Sequence, residues 1–170
     1  MLSNPLSING NTKITLRPIN TADNKYLYQI YADSRAEEMK LVDWDDIQKT
    51  SFLKMQFDAQ HEYYIKQFSD AAFDIIEFEH IPIGRLYVER RTDEIRIIDI
   101  ALLTEYRNRG FGSYLLKGLL EEATTDNKSV SIHVEKNNPA LSLYKKLGFI
   151  QVEDQGVYYL MKWDAEKNLT

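Results

Sequence analysis

The spacing of apolar and polar residues predicts strands and helices in alternation. Runs that are continuously apolar, or that alternate in polarity, predict strands at 13–19, 73–78, 83–90, 97–103, 130–134, 149–153 and 157–163. Apolar residues at every third or fourth position predict helices after Thr21 or Asp23, from Asp45 to about Phe68, at 113–123 and from Pro139. Turns at 80–82 and 92–94 make the three middle strands antiparallel. No repeat or linker interrupts this order.

The segment between the strand at 97–103 and the helix at 113–123 reads Arg-Asn-Arg-Gly-Phe-Gly over 107–112. Its two glycines allow a tight turn and a close approach of a ligand to the backbone. The free amides and the positive dipole end of the following helix favour a bound phosphate. The alternative is a flexible helix entry that binds nothing. A Walker-type loop and a dinucleotide fingerprint are excluded, because Ser113 follows Gly112 and Leu115 stands where a third glycine is required.

A second informative segment covers residues 130–149, where a strand is followed by a short helix. Apolar residues alternate over 130–134, as in a half-buried strand. Asn137 or Asn138 can cap the helix, Pro139 suits its first turn, and Gly148 is placed to end it. Because both segments occur in this order and about the right distance apart, a chance match is a poor explanation for the pair.

Together the two segments resemble the signatures of the GNAT family of acyl-CoA-dependent N-acetyltransferases. The first matches the pattern Arg/Gln-x-x-Gly-x-Gly/Ala, and the second matches a strand followed by Asn, Ala, Leu-Tyr and Leu-Gly-Phe. The resemblance implies an α/β (α+β) fold, with a mixed, mostly antiparallel sheet of about seven strands, splayed middle strands and about four flanking helices. It extends over nearly the whole chain as one domain (1–170), although only 97–149 carry specific motifs.

The activity that the resemblance implies is transfer of an acetyl group from acetyl-CoA, as cosubstrate, to a primary amine on a small molecule or a protein. The chain has no cysteine to form an acyl-enzyme, so direct attack in a ternary complex is expected. One alternative is a catalytically quiet acyl-CoA-binding sensor of the same fold. Another is a structural domain whose glycine loop holds no ligand.

The site residues follow from the same resemblance. The main chain of Ile100 and Leu102 is expected to bind the pantetheine arm, and the amide of Leu102 to face the thioester oxygen. The pyrophosphate is expected to lie on the loop formed by Arg107, Asn108, Arg109, Gly110, Phe111, Gly112 and Ser113. Asn137 or Asn138 is expected to bond the pantetheine or an ordered water, and spacing does not choose between them. Tyr144 is the candidate general acid beside the sulfur, where the alternative is an ordinary core tyrosine.

No general base can be assigned from the sequence. Family members often carry a Glu or His on the strand before the phosphate loop, facing the acceptor. Alternation places Glu94, Arg96 and Ile98 on that face and Asp99 on the other. Glu94 acting through water remains open, as do contributions from Glu135 or Tyr158.

Composition and charge bear on the localisation of the protein, on its partners and on metal binding. With 170 residues and a net charge of −5, the chain is expected to be one soluble, cytoplasmic domain that binds neither nucleic acid nor membrane, as a monomer or a homodimer. Residues 1–4 lack the basic start of a secretory signal. The three histidines lack metal-ligand spacing, so no metal is expected. An acidic cluster is either a solvated, helix-capping surface or a recognition site for a cationic amine: Asp33, Glu37, Glu38, Asp43, Asp45 and Asp46.

Overall fold

The computed structural model describes residues 6–8 and 12–168. Residues 1–4, on which the absence of a secretory signal was argued, lie outside the described residues. The strands are β1 (Leu6–Ile8), β2 (Thr12–Pro18), β3 (Ala72–Phe78), β4 (Ile81–Arg90), β5 (Glu94–Leu102), β6 (Ser129–Glu135), β7 (Ile150–Gln155) and β8 (Tyr158–Asp164). The helices are α1 (Asn24–Ser34), α2 (Ala36–Met39), α3 (Asp46–Gln67), α4 (Phe111–Thr125), α5 (Leu141–Lys146) and α6 (Ala165–Asn168).

The eight described strands form one mixed sheet in the order β1-β2-β3-β4-β5-β6-β8-β7. Pairing is antiparallel for β1–β2, β2–β3, β6–β8 and β7–β8, and parallel for β5–β6. The mixed, mostly antiparallel sheet and its flanking helices therefore confirm the predicted fold class. The additional strand, β1, has only three residues, which is too short for an alternating pattern to be recognised in the sequence.

Two compact units can be distinguished, and each is described by itself. The first comprises the residues up to Leu86 together with Ile100–Arg109. In this unit Phe57 of α3 contacts the rings of Tyr28 and Tyr31 on α1, with centroids 5.9 and 6.0 Å apart. The apolar side chains of its core include Ile14, Leu27, Ile30, Leu53, Ile75, Ile76 and Ile83. The prediction that the chain is a single domain stays a prediction.

The second unit comprises Tyr87–Asp99 and the residues from Gly110 onward. Helix α4 contributes the apolar face that the helical spacing predicts, and β6 contributes the inward-facing residues of its alternating pattern. The buried side chains include Ile95, Ile97, Leu115, Leu116, Leu119, Val130, Ile132 and Met161. Hydrophobic periodicity therefore predicted the buried faces of α4 and β6 correctly.

The hairpin between β3 and β4 differs from the prediction. A turn was expected at 80–82, but Glu79 and His80 form it, with φ of 50° and 67°, and Pro82 lies within β4. A two-residue hairpin turn needs positive φ and normally uses Asn or Gly. Because Glu and His are unusual at such positions, the sequence carries no signal for this turn.

Candidate functional site

The segment before α4 adopts the glycine turn that the sequence indicates. Asn108 and Gly110 both have positive φ, at 58° and 88°. A Cβ at Gly110 would meet no protein atom within 4 Å, so the backbone angle and not crowding favours glycine here. Gly110 is the N-cap of α4 and supplies no side chain to cap the helix.

The start of α4 therefore presents main-chain donors. The first helical hydrogen bond runs from the amide of Tyr114 to the carbonyl of Gly110, at 3.0 Å. The amides of Gly112 and Ser113 precede it and have no acceptor within the helix. By contrast, α3 begins with a capping box in which Asp45 accepts from the amide of Gln48. An anion is the natural acceptor for these amides at the start of α4.

The two arginines of this loop point toward protein groups of the first unit. The Nε of Arg107 donates to the carbonyl of Leu102 at 2.9 Å, and its Nη2 lies 3.4 Å from the carboxylate of Asp33. The guanidinium of Arg109 lies over the rings of Phe78 and Tyr106, at 5.6 and 5.5 Å from their centroids. Both charges thus help to hold the loop.

The strand residues expected at the thioester arm, Ile100 and Leu102, lie at the end of β5. Gly84 of β4 approaches this end closely, since a Cβ built on it would be 2.3 Å from the carbonyl oxygen of Ala101. The amide of Leu103 donates to the carbonyl of Ile83 at 2.8 Å. A glycine is therefore required for the two strands to approach at this point.

Within the second unit, β5 and β6 are paired only at their beginnings. Their parallel register runs from Glu94 opposite Ser129 to Ile97 opposite Ile132. Strand β6 continues, paired with β8, as far as Glu135. The backbone groups that follow Ile97 on β5 therefore make no ladder hydrogen bonds to β6. This is expected where an amide-bearing ligand takes the place of a strand.

The structure separates the two candidate asparagines. The side chain of Asn138 accepts from the amide of Ala140 at 2.9 Å and so forms the turn that leads into α5. Asn137 is exposed, and its side chain makes no hydrogen bond within residues 6–8 and 12–168. Asn137 is the one whose amide remains available to a ligand.

Tyr144 lies in α5 and is almost fully buried. Its ring packs edge-on against Phe149, with centroids 5.6 Å apart. Burial, with a further contribution from the negative charge of Asp99, raises the pKa of the Tyr144 hydroxyl above its usual value. The phenol is therefore protonated throughout the physiological range and can act as a hydrogen-bond donor.

His133, which the sequence did not indicate as a base, lies on the exposed face of β6. Burial of its ring, followed by the positive charge of Arg96, lowers the pKa of His133 below its usual value, while Gln155 and Glu153 oppose this shift. The imidazole is thus uncharged at neutral pH. The alternation of β6 could have indicated this position, since His133 lies between Ile132 and Val134, which are both buried.

The other candidate bases are less suitable. Glu94 forms an ion pair with Arg91 at 3.1 Å, which holds its carboxylate in a protein contact. Tyr158 is exposed, and its ring centroid lies 6.5 Å from that of His133.

Most of the acidic cluster is engaged in contacts within the protein. Glu37 pairs with Lys40 at 2.8 Å, and Glu38 pairs with Arg35 at 3.1 Å. Asp45 caps α3, while Asp33 binds Thr104. These contacts favour the helix-capping and ion-pair interpretation over recognition of a cationic amine.

The described part of the chain contains no group of three or more His, Cys, Asp or Glu residues arranged to hold a metal. His61 instead stacks on Phe57 at 5.6 Å, and burial followed by the charge of Arg85 lowers the pKa of His61. None of the helices within residues 12–168 combines the length and the apolar content that crossing a membrane requires.

A mixed sheet whose parallel pair separates partway, followed by a glycine turn that opens a helix, is the arrangement that the resemblance to acyl-CoA-dependent N-acetyltransferases implies. The chain belongs to the acetyltransferase (GNAT) family, whose model matches residues 24–149. It is therefore an acyltransferase, as the sequence motifs predicted.

A similar protein supports this assignment, and two solved structures support the fold. An N-alpha-acetyltransferase of Sulfurisphaera tokodaii is 26% identical over 150 residues, which cover 77% of this chain and 89% of the relative. The PaiA N-acetyltransferase of Thermoplasma acidophilum, solved in complex with coenzyme A, matches with a TM-score of 0.66 and 17% identity, over 89% of this chain and 98% of that one. Arabidopsis thaliana Naa50, in complex with the bisubstrate analogue CoA-Ac-MVNAL, matches with a TM-score of 0.58 and 19% identity, over 89% and 98%. At these identities the two solved structures support the fold.

Proposed function

We propose that this protein transfers the acetyl group of acetyl-CoA to a primary amine, and that this amine is the α-amino group of a polypeptide. The observation that carries the proposal is the uncapped start of α4 behind the left-handed turn at Asn108 and Gly110. Exposed helix amides at a glycine turn suit a diphosphate. The polypeptide acceptor is supported by the N-alpha-acetyltransferase activity of the Sulfurisphaera tokodaii relative.

The loop residues from Asn108 to Ser113 bind the diphosphate mainly through their main chain. Arg107 and Arg109 shape the loop, because Leu102, Asp33 and an aromatic pair already hold their guanidinium groups. The two guanidinium groups attract the phosphates electrostatically without contacting them directly. The side-chain amide of Asn137 bonds the pantetheine arm or a water beside it.

Main-chain groups of Ile100 and Leu102 bond the amides of the pantetheine arm, and the amide of Leu102 donates to the thioester oxygen. As the amine attacks, negative charge develops on that oxygen. One preset donor of this kind contributes about 2.7–4 kcal/mol in related acyl transfers. The carbonyl of Leu102 is held by Arg107, which fixes the orientation of this peptide group.

His133 accepts the proton that the acceptor amine loses, directly or through one water. Its imidazole is uncharged at neutral pH, and it lies on the face that the sequence assigns to the acceptor. No base was assigned from the sequence, so this role rests on the structure alone.

Tyr144 donates a hydrogen bond to the departing thiolate of coenzyme A. Because burial and Asp99 raise the pKa of its hydroxyl, the thiolate does not readily take the proton outright. Stabilisation of the leaving sulfur by this hydrogen bond is therefore the main contribution of Tyr144, and coenzyme A departs as a thiolate that takes its proton from solvent.

The proposal is tested by thermal denaturation with acetyl-CoA and by thiol release with a panel of peptide amines. We expect stabilisation by acetyl-CoA and coenzyme A release that depends on a peptide with a free amino terminus. Amino-terminally blocked peptides of the same sequences are the matched control. Stabilisation without turnover on any amine would indicate the catalytically quiet sensor, and no stabilisation at millimolar acetyl-CoA would contradict both functions.

A further inference from the structure

Arg96 has an unusual position on the sheet. It lies on β5, where its Nη1 donates to the hydroxyl of Ser131 at 3.0 Å and its Nη2 contacts the ring of His133. Its neighbours on the same strand, Ile95 and Ile97, are fully buried on the opposite face. The guanidinium is therefore placed on the polar face of the β5–β6 pair by the alternation of the strand.

Among residues 6–8 and 12–168, no direct ion pair neutralises the charge of Arg96. Burial lowers the pKa of its guanidinium, and the charges of Glu94 and Glu89 offset this only in part. Both carboxylates are engaged by Arg91, at 3.1 and 2.6 Å. In the described part of the chain no carboxylate lies within ion-pair distance of Arg96. A guanidinium remains charged in proteins, so a half-buried one without a counter-charge favours an anionic ligand.

The face that carries Arg96 is exposed at His133, although Ser131 on the same face is buried. Ile132 and Val134 of β6 are buried on the opposite face, whereas His133 between them is exposed. The β5–β6 ladder ends one residue after Arg96, at the pair of Ile97 and Ile132. A molecule that reaches the point where these strands separate therefore approaches along the face of Arg96 and His133.

We infer that Arg96 is a specificity-determining residue that binds a carboxylate of the acceptor, so that the preferred substrate is a polypeptide with Asp or Glu near its amino terminus. This inference rests on the proposed function. A guanidinium presents parallel donors that match a carboxylate in two hydrogen bonds. Polyamines and basic amino termini are disfavoured, because they would bring a second positive charge to Arg96.

The experiment compares acetylation of matched peptides by the full-length protein. Each pair differs only by Glu or Gln at position 1, 2 or 3, and kcat/KM is measured by coenzyme A release at fixed ionic strength. We expect the Glu peptide to be preferred about tenfold at one or more positions, which corresponds to one charge-assisted contact. Equal rates for Glu and Gln at all three positions would overturn the inference while leaving the proposed function intact.

Variants of Arg96 show whether this side chain is responsible. In Arg96→Gln we expect the ratio of kcat/KM between the Glu peptide and the Gln peptide to fall to about one. In Arg96→Glu we expect a peptide with Lys at the same position to be preferred over the Gln peptide. Arg90→Gln, at an arginine of β4 that pairs with Glu122, is the matched control and keeps the wild-type ratio. A preference that survives Arg96→Gln would contradict the role. The wild-type comparison decides the question even if a variant fails to fold, whereas acetyl-CoA binding with no acetylation of any peptide refutes the polypeptide acceptor.

Discussion

The carboxylate of Asp33, on α1, accepts two hydrogen bonds from Thr104, one from the main-chain amide at 2.7 Å and one from the hydroxyl at 2.6 Å. The same oxygen lies 3.4 Å from Arg107, whose Nε holds the carbonyl of Leu102. One side chain thus fixes the segment that leads from β5 into the glycine turn. This contact explains why an acidic residue is needed on α1 without invoking substrate recognition.

Replacing Asp33 is therefore expected to affect coenzyme binding. In Asp33→Ala the segment from Thr104 to Arg107 loses its acceptor, and the KM for acetyl-CoA should rise about tenfold, in line with about 1.5–3 kcal/mol for hydrogen bonds to a charged group. Asp33→Asn, which keeps one acceptor oxygen, should show a smaller increase. Glu37→Ala, which removes an exposed ion pair, is the control and should bind normally. A lower melting temperature with an unaltered KM would make the role of Asp33 purely structural.

The glycine turn provides a test of the phosphate site. Gly110→Asp adds negative charge and strain at φ 88°, so we expect acetyl-CoA to bind at least about tenfold more weakly, measured by calorimetry. Gly156→Asp is a closely matched control, because Gly156 has φ 83° and a Cβ there also meets no atom within 4 Å. Equal losses of affinity in the two variants would attribute the effect to strain and not to the phosphate site.

Tyr144→Phe tests the hydrogen bond to the leaving thiolate. The ring remains packed on Phe149 while the hydroxyl is lost, so kcat should fall about tenfold to a hundredfold with little change in acetyl-CoA affinity. Tyr63→Phe, at an exposed tyrosine of α3, controls for loss of a hydroxyl elsewhere. Full activity in Tyr144→Phe would reduce Tyr144 to a core residue.

The pH dependence of kcat tests His133. Because the pKa of His133 is lowered, its neutral, proton-accepting form predominates above about pH 6.5, and kcat should fall only below that value. His133→Gln should lower kcat at neutral pH and abolish this acid limb, measured at saturating peptide and acetyl-CoA. An acid limb that persists in the variant would assign the base to another group.

A pair of glycines tests the approach of β4 to β5. In Gly84→Ala the new Cβ would lie 2.3 Å from the carbonyl oxygen of Ala101, so we expect a loss of about 1–3 kcal/mol in the free energy of unfolding. Gly118→Ala, in α4, meets no atom within 4 Å and should gain up to about 1 kcal/mol from helix propensity. Thermal and urea denaturation measure both. A neutral Gly84→Ala would mean that the strands separate easily at this point.

The sequence by itself determined the order of the elements and the glycine turn. Both depend on local rules: the apolar period of α4 and β6, and the need for glycine at φ 88° before the helix. These properties involve residues within one turn or strand of each other, so they can be read along the chain. The two family signatures can be recognised for the same reason, since each lies within one short segment of the chain.

Only the tertiary structure decided which polar side chains are held by other residues of the protein and which can contact a ligand. Asp33 meets Thr104 across 71 positions, and Arg96 meets His133 across 37. Such partners are brought together by strand register and helix packing, which no local pattern encodes. For this reason the sequence left open which of Arg107 and Arg109 reaches a phosphate, and whether the acidic cluster is a solvated surface or attracts an amine. The fold joins Arg107 to Asp33 and, among the described residues, brings no carboxylate within ion-pair distance of Arg96.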